Sequence, residues 1–119
     1  MSPSWAGAAG AIVSTAADIA RFYTALLTGK LLPAAQLQQT MTTTPTGQGD
    51  NYGLGIDSVP LPCGTAWGHT GDFPGYFSNA FTTTGGGSQA VVLVNADGLS
   101  EQQQNDIFNA LTIGICGSG

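Results

Sequence analysis

Residues 66–76 read Ala66-Trp67-Gly68-His69-Thr70-Gly71-Asp72-Phe73-Pro74-Gly75-Tyr76. An apolar strand is expected to end in Gly68-His69-Thr70-Gly71, with Asp72, Phe73, Pro74 and Gly75 supplying the turn into a second strand. His69 is the only histidine in the chain, and it falls where a strand edge can face a substrate. Gly68 and Gly71 carry no Cβ and so let another backbone come close. Alone, the triplet His69-Thr70-Gly71 reads more readily as a silent structural histidine and a β-branched threonine filling a strand position.

The flanking segments have clear periodicities. Upstream, Thr15 can cap a helix with Asp18 three residues on, and Ile19, Phe22, Tyr23, Leu26 and Leu27 share one face, expected to be core. Gly29 stops that helix. A shorter helix begins at Pro33, with Leu37 and Met41 inward, followed by a polar Thr/Gly loop over 40–50. From Tyr52 the period becomes two. Strands are expected near 52–57, 65–70, 75–83 and 89–95, with Gly85-Gly86-Gly87 as a hairpin connection. Ala90 to Val94 is an unbroken apolar run of the kind a central strand carries. Ser100 and Gln103 form a capping box for a last helix that turns Ile107, Phe108, Leu111 and Ile115 inward. Trp5 and Trp67 read as packing residues. The order helix, helix, antiparallel meander, helix is an α+β arrangement, an antiparallel β-sheet with flanking helices, in one domain across 1–119.

Composition narrows the function. A hydrophobic content of 42% with only 8% charged residues suits a globular chain, some of whose faces are meant for burial. The net charge is -5, and Arg21 and Lys30 are the only cations. Nucleic acid and anionic membrane surfaces need clustered cations, so neither is an expected partner. No apolar run is long enough to span a bilayer, and Met1-Ser2-Pro3-Ser4 has neither the cationic nor the apolar region of a signal peptide. One histidine and scattered carboxylates make no metal site, Asn95-Ala96-Asp97-Gly98 reads as a turn, and no cofactor is expected. The three glycines at 85–87 lack the lysine of a phosphate loop.

Taken in order, several motifs resemble one family. They are Gly10-Ala11-Ile12-Val13-Ser14-Thr15-Ala16-Ala17-Asp18-Ile19, Leu31-Leu32-Pro33, Tyr52-Gly53-Leu54-Gly55-Ile56, Cys63, Gly68-His69-Thr70-Gly71 and Cys116. Together they resemble the C-terminal part of the serine D-Ala-D-Ala carboxypeptidases, which are related to class C β-lactamases and esterases. The secreted actinobacterial carboxypeptidases are the most similar. The resemblance runs from Trp5 to Gly117 and implies a partial β-lactamase/transpeptidase-like domain, the nucleophile-bearing N-terminal part lying outside residues 1–119.

The motifs that are missing agree. Lys30 follows Leu27 at the spacing of an S-x-x-K motif, and Tyr23, Tyr52 and Tyr76 precede Ala25, Leu54 and Ser78 where a Y-x-N motif needs asparagine. There is no G-x-S-x-G elbow. The resemblance implies that His69, Thr70, Gly71 and Asp72 form the wall opposite the serine nucleophile of an acyl-enzyme mechanism. His69 would tune the field around the nucleophile, Thr70 would offer its hydroxyl, and the Asp72 N–H would be one of two oxyanion donors. It also implies a Cys63–Cys116 disulfide, export, and a signal upstream of this chain. Two ordinary buried thiols are the alternative.

Substrate contacts at Asp57, Thr70 and Asp72 follow from the same resemblance, with two departures. The most similar relatives have arginine just after the Tyr52–Ile56 motif, where this chain reads Asp57-Ser58-Val59, and threonine at 72, both contacts for a substrate carboxylate. Aspartates there would repel a carboxylate by about 1 kcal/mol each, so the expected substrate is an ester, an amide or a peptide with a neutral or cationic end. Two other readings stay open: a secreted module binding a peptide or cell-wall fragment along the edge near His69, and an interaction partner for a complementary half.

Overall fold

A computed structural model describes residues 3–117. Side-chain surroundings begin at Ala6, so the packing expected of Trp5 lies outside the described residues. After a 3-10 segment at Pro3–Ala9, α1 (Ala16–Leu27) and α2 (Ala34–Thr40) precede six strands and α3 (Glu101–Cys116). The strands are β1 (Thr44–Pro45), β2 (Asn51–Tyr52), β3 (Asp57–Leu61), β4 (Gly64–Phe73), β5 (Tyr76–Thr83) and β6 (Gln89–Val94). They form one antiparallel meander in chain order. No helix among the described residues is long and apolar enough to cross a membrane.

Alternation along the strands builds three layers. Val59, Leu61, Ala66 and Phe81 turn to one face and pack under Leu111 and Ile115 of α3. Trp67, next in sequence to Ala66, turns to the other face and packs with Ile56, Leu26, Leu27 and the inward side of α2, Leu37 and Met41. Each fully buried large apolar side chain stabilises the fold by about 1.5–3 kcal/mol. The capping box at the start of α3 is complete: Ser100 Oγ accepts from Gln103 N at 3.1 Å, and Gln103 Oε1 accepts from Ser100 N at 2.9 Å. The cap of α1 is half of one. Thr15 Oγ1 accepts from Asp18 N at 3.1 Å, while the Asp18 carboxylate pairs with Arg21.

The structure corrects several expectations. The strand expected over 52–57 is two strands with a turn between them. Gly53 N donates to Ile56 O, and a Cβ on Gly53 would lie 2.2 Å from Thr40 O, the acceptor for Leu54 N. The unanticipated β3 carries Pro60 where β2 no longer pairs with it, an edge position that needs no donor. The loop over 40–50 contains the last residue of α2 and all of β1. β4 runs on through Asp72 and Phe73, leaving Pro74 and Gly75 as the turn. Among the described residues β6 pairs with β5 alone, and α1 and α3 pack beside it. Phe22 is 51% exposed, so the apolar face of α1 is core only over its second half.

Two constraints hold the sheet in place. A Cβ on Gly68 would lie 1.8 Å from the Ala80 carbonyl oxygen, whereas one on Gly71 would meet only the Ser78 hydroxyl, at 2.5 Å. Backbone cannot yield and a serine side chain can. Cys63, between β3 and β4, is disulfide-bonded to Cys116, with Cα atoms 5.5 Å apart across a sequence separation of 53. The bridge ties α3 to the β3–β4 hairpin.

Gly68→Ala is expected to cost about 3 kcal/mol or abolish folding, and Gly71→Ala about 1 kcal/mol. Chemical denaturation of the two variants checks this, and equal costs would refute it. Reduction of the disulfide, or the paired Cys63→Ser and Cys116→Ser substitution, is expected to remove about 4 kcal/mol by loop entropy. Melting with and without reductant reads that effect.

Candidate active site

The two strands that meet at Pro74-Gly75 set out the site. In the β4–β5 register His69 lies opposite Ala80, Thr70 opposite Asn79, Gly71 opposite Ser78 and Asp72 opposite Phe77. β3 runs beside β4 only as far as Gly68, which lies opposite Asp57. From His69 to Asp72 the pairing continues on the β5 side alone. A cleft of about 370 Å³ opens between this strand pair and α1, lined by Ile12, Phe22, Tyr23, His69, Thr70 and Ser78 among others. A second cavity of about 340 Å³ is bordered by Asp50, Asp57, Thr70, Phe81 and Phe108. Thr70 borders both.

His69 is held at both ring nitrogens. Nδ1 bonds to the Thr70 carbonyl oxygen. Nε2 lies 2.9 Å from the Tyr52 hydroxyl, and the two rings meet edge to face with centroids 5.7 Å apart. A carbonyl oxygen only accepts, so Nδ1 carries the proton. In the neutral ring Nε2 is then bare and accepts from Tyr52.

Asp57 is the electrostatic outlier. Burial pushes its carboxyl up to about 6, reinforced by a hydrogen bond with Asp50 and by that residue's charge. Nearby His69 and the Ser58 backbone act in the opposite direction. One oxygen, Oδ1, is buried without a hydrogen-bond partner. Asp50 is shifted the other way: its bond from Thr46, then its bond with Asp57, hold it below the ordinary carboxylate value. Of the two, Asp50 is therefore the first to ionise, and Asp57 follows only as pH rises through about 6. Asn79, 3% exposed and opposite Thr70, likewise has a buried side-chain oxygen without a partner.

The residues singled out in the sequence therefore fall together. His69, Thr70, Gly71 and Asp72 are consecutive on β4, and Asp57 joins them through its pairing with Gly68. Sequence reasoning missed Tyr52 and Asp50. Tyr52 stands in a motif that was read as a strand and a family marker but given no role in the site, and Asp50 in a loop that was read only as polar. Among the described residues no three histidines, cysteines or acids are grouped as a metal site.

Residues 1–113 match the Beta-lactamase family. Among solved structures, the D-stereospecific amidohydrolase from Streptomyces sp. is 37% identical with a TM-score of 0.82, the match covering 98% of this chain and 34% of that one. The D-amino acid amidase from Ochrobactrum anthropi SV3, complexed with L-phenylalanine amide, is 26% identical with a TM-score of 0.74, covering 93% of this chain and 34% of that one. This chain thus spans about a third of the length of the solved structures it matches. By sequence and by fold, it belongs to the beta-lactamase family.

Proposed function

We propose that this chain is the C-terminal portion of a serine hydrolase domain, and that the whole domain cleaves amides bearing a free α-ammonium group. The observation that carries the reading is the run of β4 past the end of β3, open on one side from His69 to Asp72. An extended substrate laid there adds a strand to the sheet. Thr70 offers its hydroxyl, and the Asp72 N–H donates to the substrate carbonyl oxygen. A serine of an S-x-x-K motif, outside this chain, attacks that carbonyl. The amine leaves with a proton, and water hydrolyses the ester to release the acid. Losing one oxyanion donor typically raises the barrier by about 3 kcal/mol, so this chain alone is expected to be inactive.

Two features support the substrate class. Asp57 and Asp72 flank the open edge with carboxylates, which repel a substrate carboxylate and attract an ammonium. Two of the similar structures bear names that specify D-amino acid amides or D-stereospecific hydrolysis, and an amino acid amide carries an ammonium and no carboxylate. The exposed apolar side chains of Ile12, Val13 and Leu54 suit burial against the rest of such a domain. The disulfide suits an extracytoplasmic setting.

The test is a longer product of the same reading frame, treated with a fluorophosphonate and offered D-amino acid amides with free or acetylated amines. Labelling of a serine and preference for the free amine are expected. Labelling with preference for D-Ala-D-Ala peptides removes the substrate class. Absence of labelling removes the hydrolase and favours a peptide-binding module.

Asp57 also makes stability depend on pH. Below its ordinary value of 3.8 the carboxyl is protonated in the folded and unfolded chain alike, and it costs nothing. As pH rises toward about 6 the unfolded chain ionises first, and stability falls. Asp50, held low, adds the opposite slope at more acid pH. Asp57→Asn keeps a donor for Asp50 and removes the ionisation, so it is expected to melt higher at neutral pH and to lose less stability between pH 4 and 6 (about the window of the shift). A variant that melts no higher than the parent at neutral pH refutes this.

A further inference from the structure

The Tyr52-Gly53-Leu54-Gly55-Ile56 segment is built to deliver one hydroxyl. β2 is only two residues long, and its pairing with β3 is Asn51 to Ser58 and Tyr52 to Asp57. The turn that follows is closed by Gly53 N on Ile56 O at 2.8 Å and Leu54 N on Thr40 O at 3.0 Å. Gly53 is required there because the Thr40 carbonyl occupies the space of a Cβ. Buried Ile56 anchors the far end of the turn in the core beside Leu26 and Leu27. Tyr52 itself stays 40% exposed, so its ring is not placed for the sake of the core. What it reaches is His69, a strand away.

We infer that Tyr52 is a positioning residue for His69, fixing the imidazole as the Nδ1–H tautomer with Nε2 occupied by the phenol. A free imidazole in water leaves both nitrogens to solvent and exchanges its proton between them. Here the Thr70 carbonyl takes the Nδ1 proton and the Tyr52 hydroxyl fills the Nε2 lone pair. The neutral ring then has no polar atom left for a substrate. Its polar contacts go to its two partners instead: the Thr70 carbonyl on β4 and the Tyr52 hydroxyl on β2. The hydroxyl is the suitable partner because it both donates and accepts. Should Nε2 gain a proton, the same oxygen turns from donor to acceptor and the ring keeps its place. Calling this positioning rests on the hydrolase reading above, whereas the tautomer is a property of this chain alone.

With a single histidine the test is direct. Nitrogen-15 NMR of the 119-residue chain, at alkaline pH where an imidazole is uncharged, is expected to show Nδ1 protonated and Nε2 bare. In Tyr52→Phe, which keeps the edge-to-face ring contact, the Nε2 resonance is expected to move toward that of a solvent-exposed nitrogen and a fraction of the Nε2–H tautomer to appear. The backbone amide spectrum verifies that the variant is folded, and Tyr76→Phe, remote in register from His69, is expected to change nothing at either nitrogen. An Nε2–H tautomer in the parent chain, or an unchanged Nε2 in folded Tyr52→Phe, overturns the inference. Neither outcome depends on catalysis, so loss of the amidase reading would leave the tautomer standing, and the reverse also holds.

Discussion

The approach of the Ala80 carbonyl to Gly68 is the constraint on which the rest depends. β4 and β5 pair over eight positions, from Ala66 opposite Thr83 to Phe73 opposite Tyr76. Any side chain at 68 would force the two strands apart at the point where β3 also ends its pairing with β4. Because the strands close there, the pleat is fixed, and the pleat decides which residue meets which layer. His69, next in sequence, takes the α1 side of the sheet, and Thr70 the following position opposite buried Asn79. One glycine thus sets the register that turns a tripeptide into a site.

The same strand ends gather charge in a chain that has little of it. With 8% charged residues, Asp50 and Asp57 still fall close enough to act on each other, while Asp72 lies further along β4. The late ionisation of Asp57 keeps that pair closer to one negative charge than two at acid pH. His69 sits near enough to favour ionisation of Asp57. One buried oxygen of Asp57 and one of Asn79 are left without hydrogen-bond partners. The raised carboxyl of Asp57 has a cost to the folded chain once pH rises above its ordinary value.

Much of the fold was legible because helices and turns announce themselves locally. Ser100 and Gln103 identified the start of α3 through a hydrogen-bond pattern that needs only four residues. The helix–helix–meander–helix order was readable for the same reason. What escaped was set by long-range contacts. β1 and β3 are short, one containing Pro45 and the other Pro60, and they exist because a neighbour supplies the ladder. In the candidate site, His69 to Asp72 were singled out because they form one contiguous motif. Tyr52 and Asp50 were not, since each joins through pairing or a side-chain bond to a residue several positions away.

These omissions share a physical cause with the site's design. A motif on one strand can supply a nucleophile-facing wall, but a histidine on an open edge has two ring nitrogens that must be assigned partners. Thr70 is fixed by sequence adjacency and can satisfy only Nδ1. The second partner must come from elsewhere in the chain, on an element short enough to stop beside β3 and stiff enough to hold a phenol 2.9 Å from Nε2. A two-residue strand followed by a glycine turn locked to α2 meets both demands. The glycine-rich segment before β3 is therefore as much a part of the candidate site as the histidine, although no atom of its turn touches the ring.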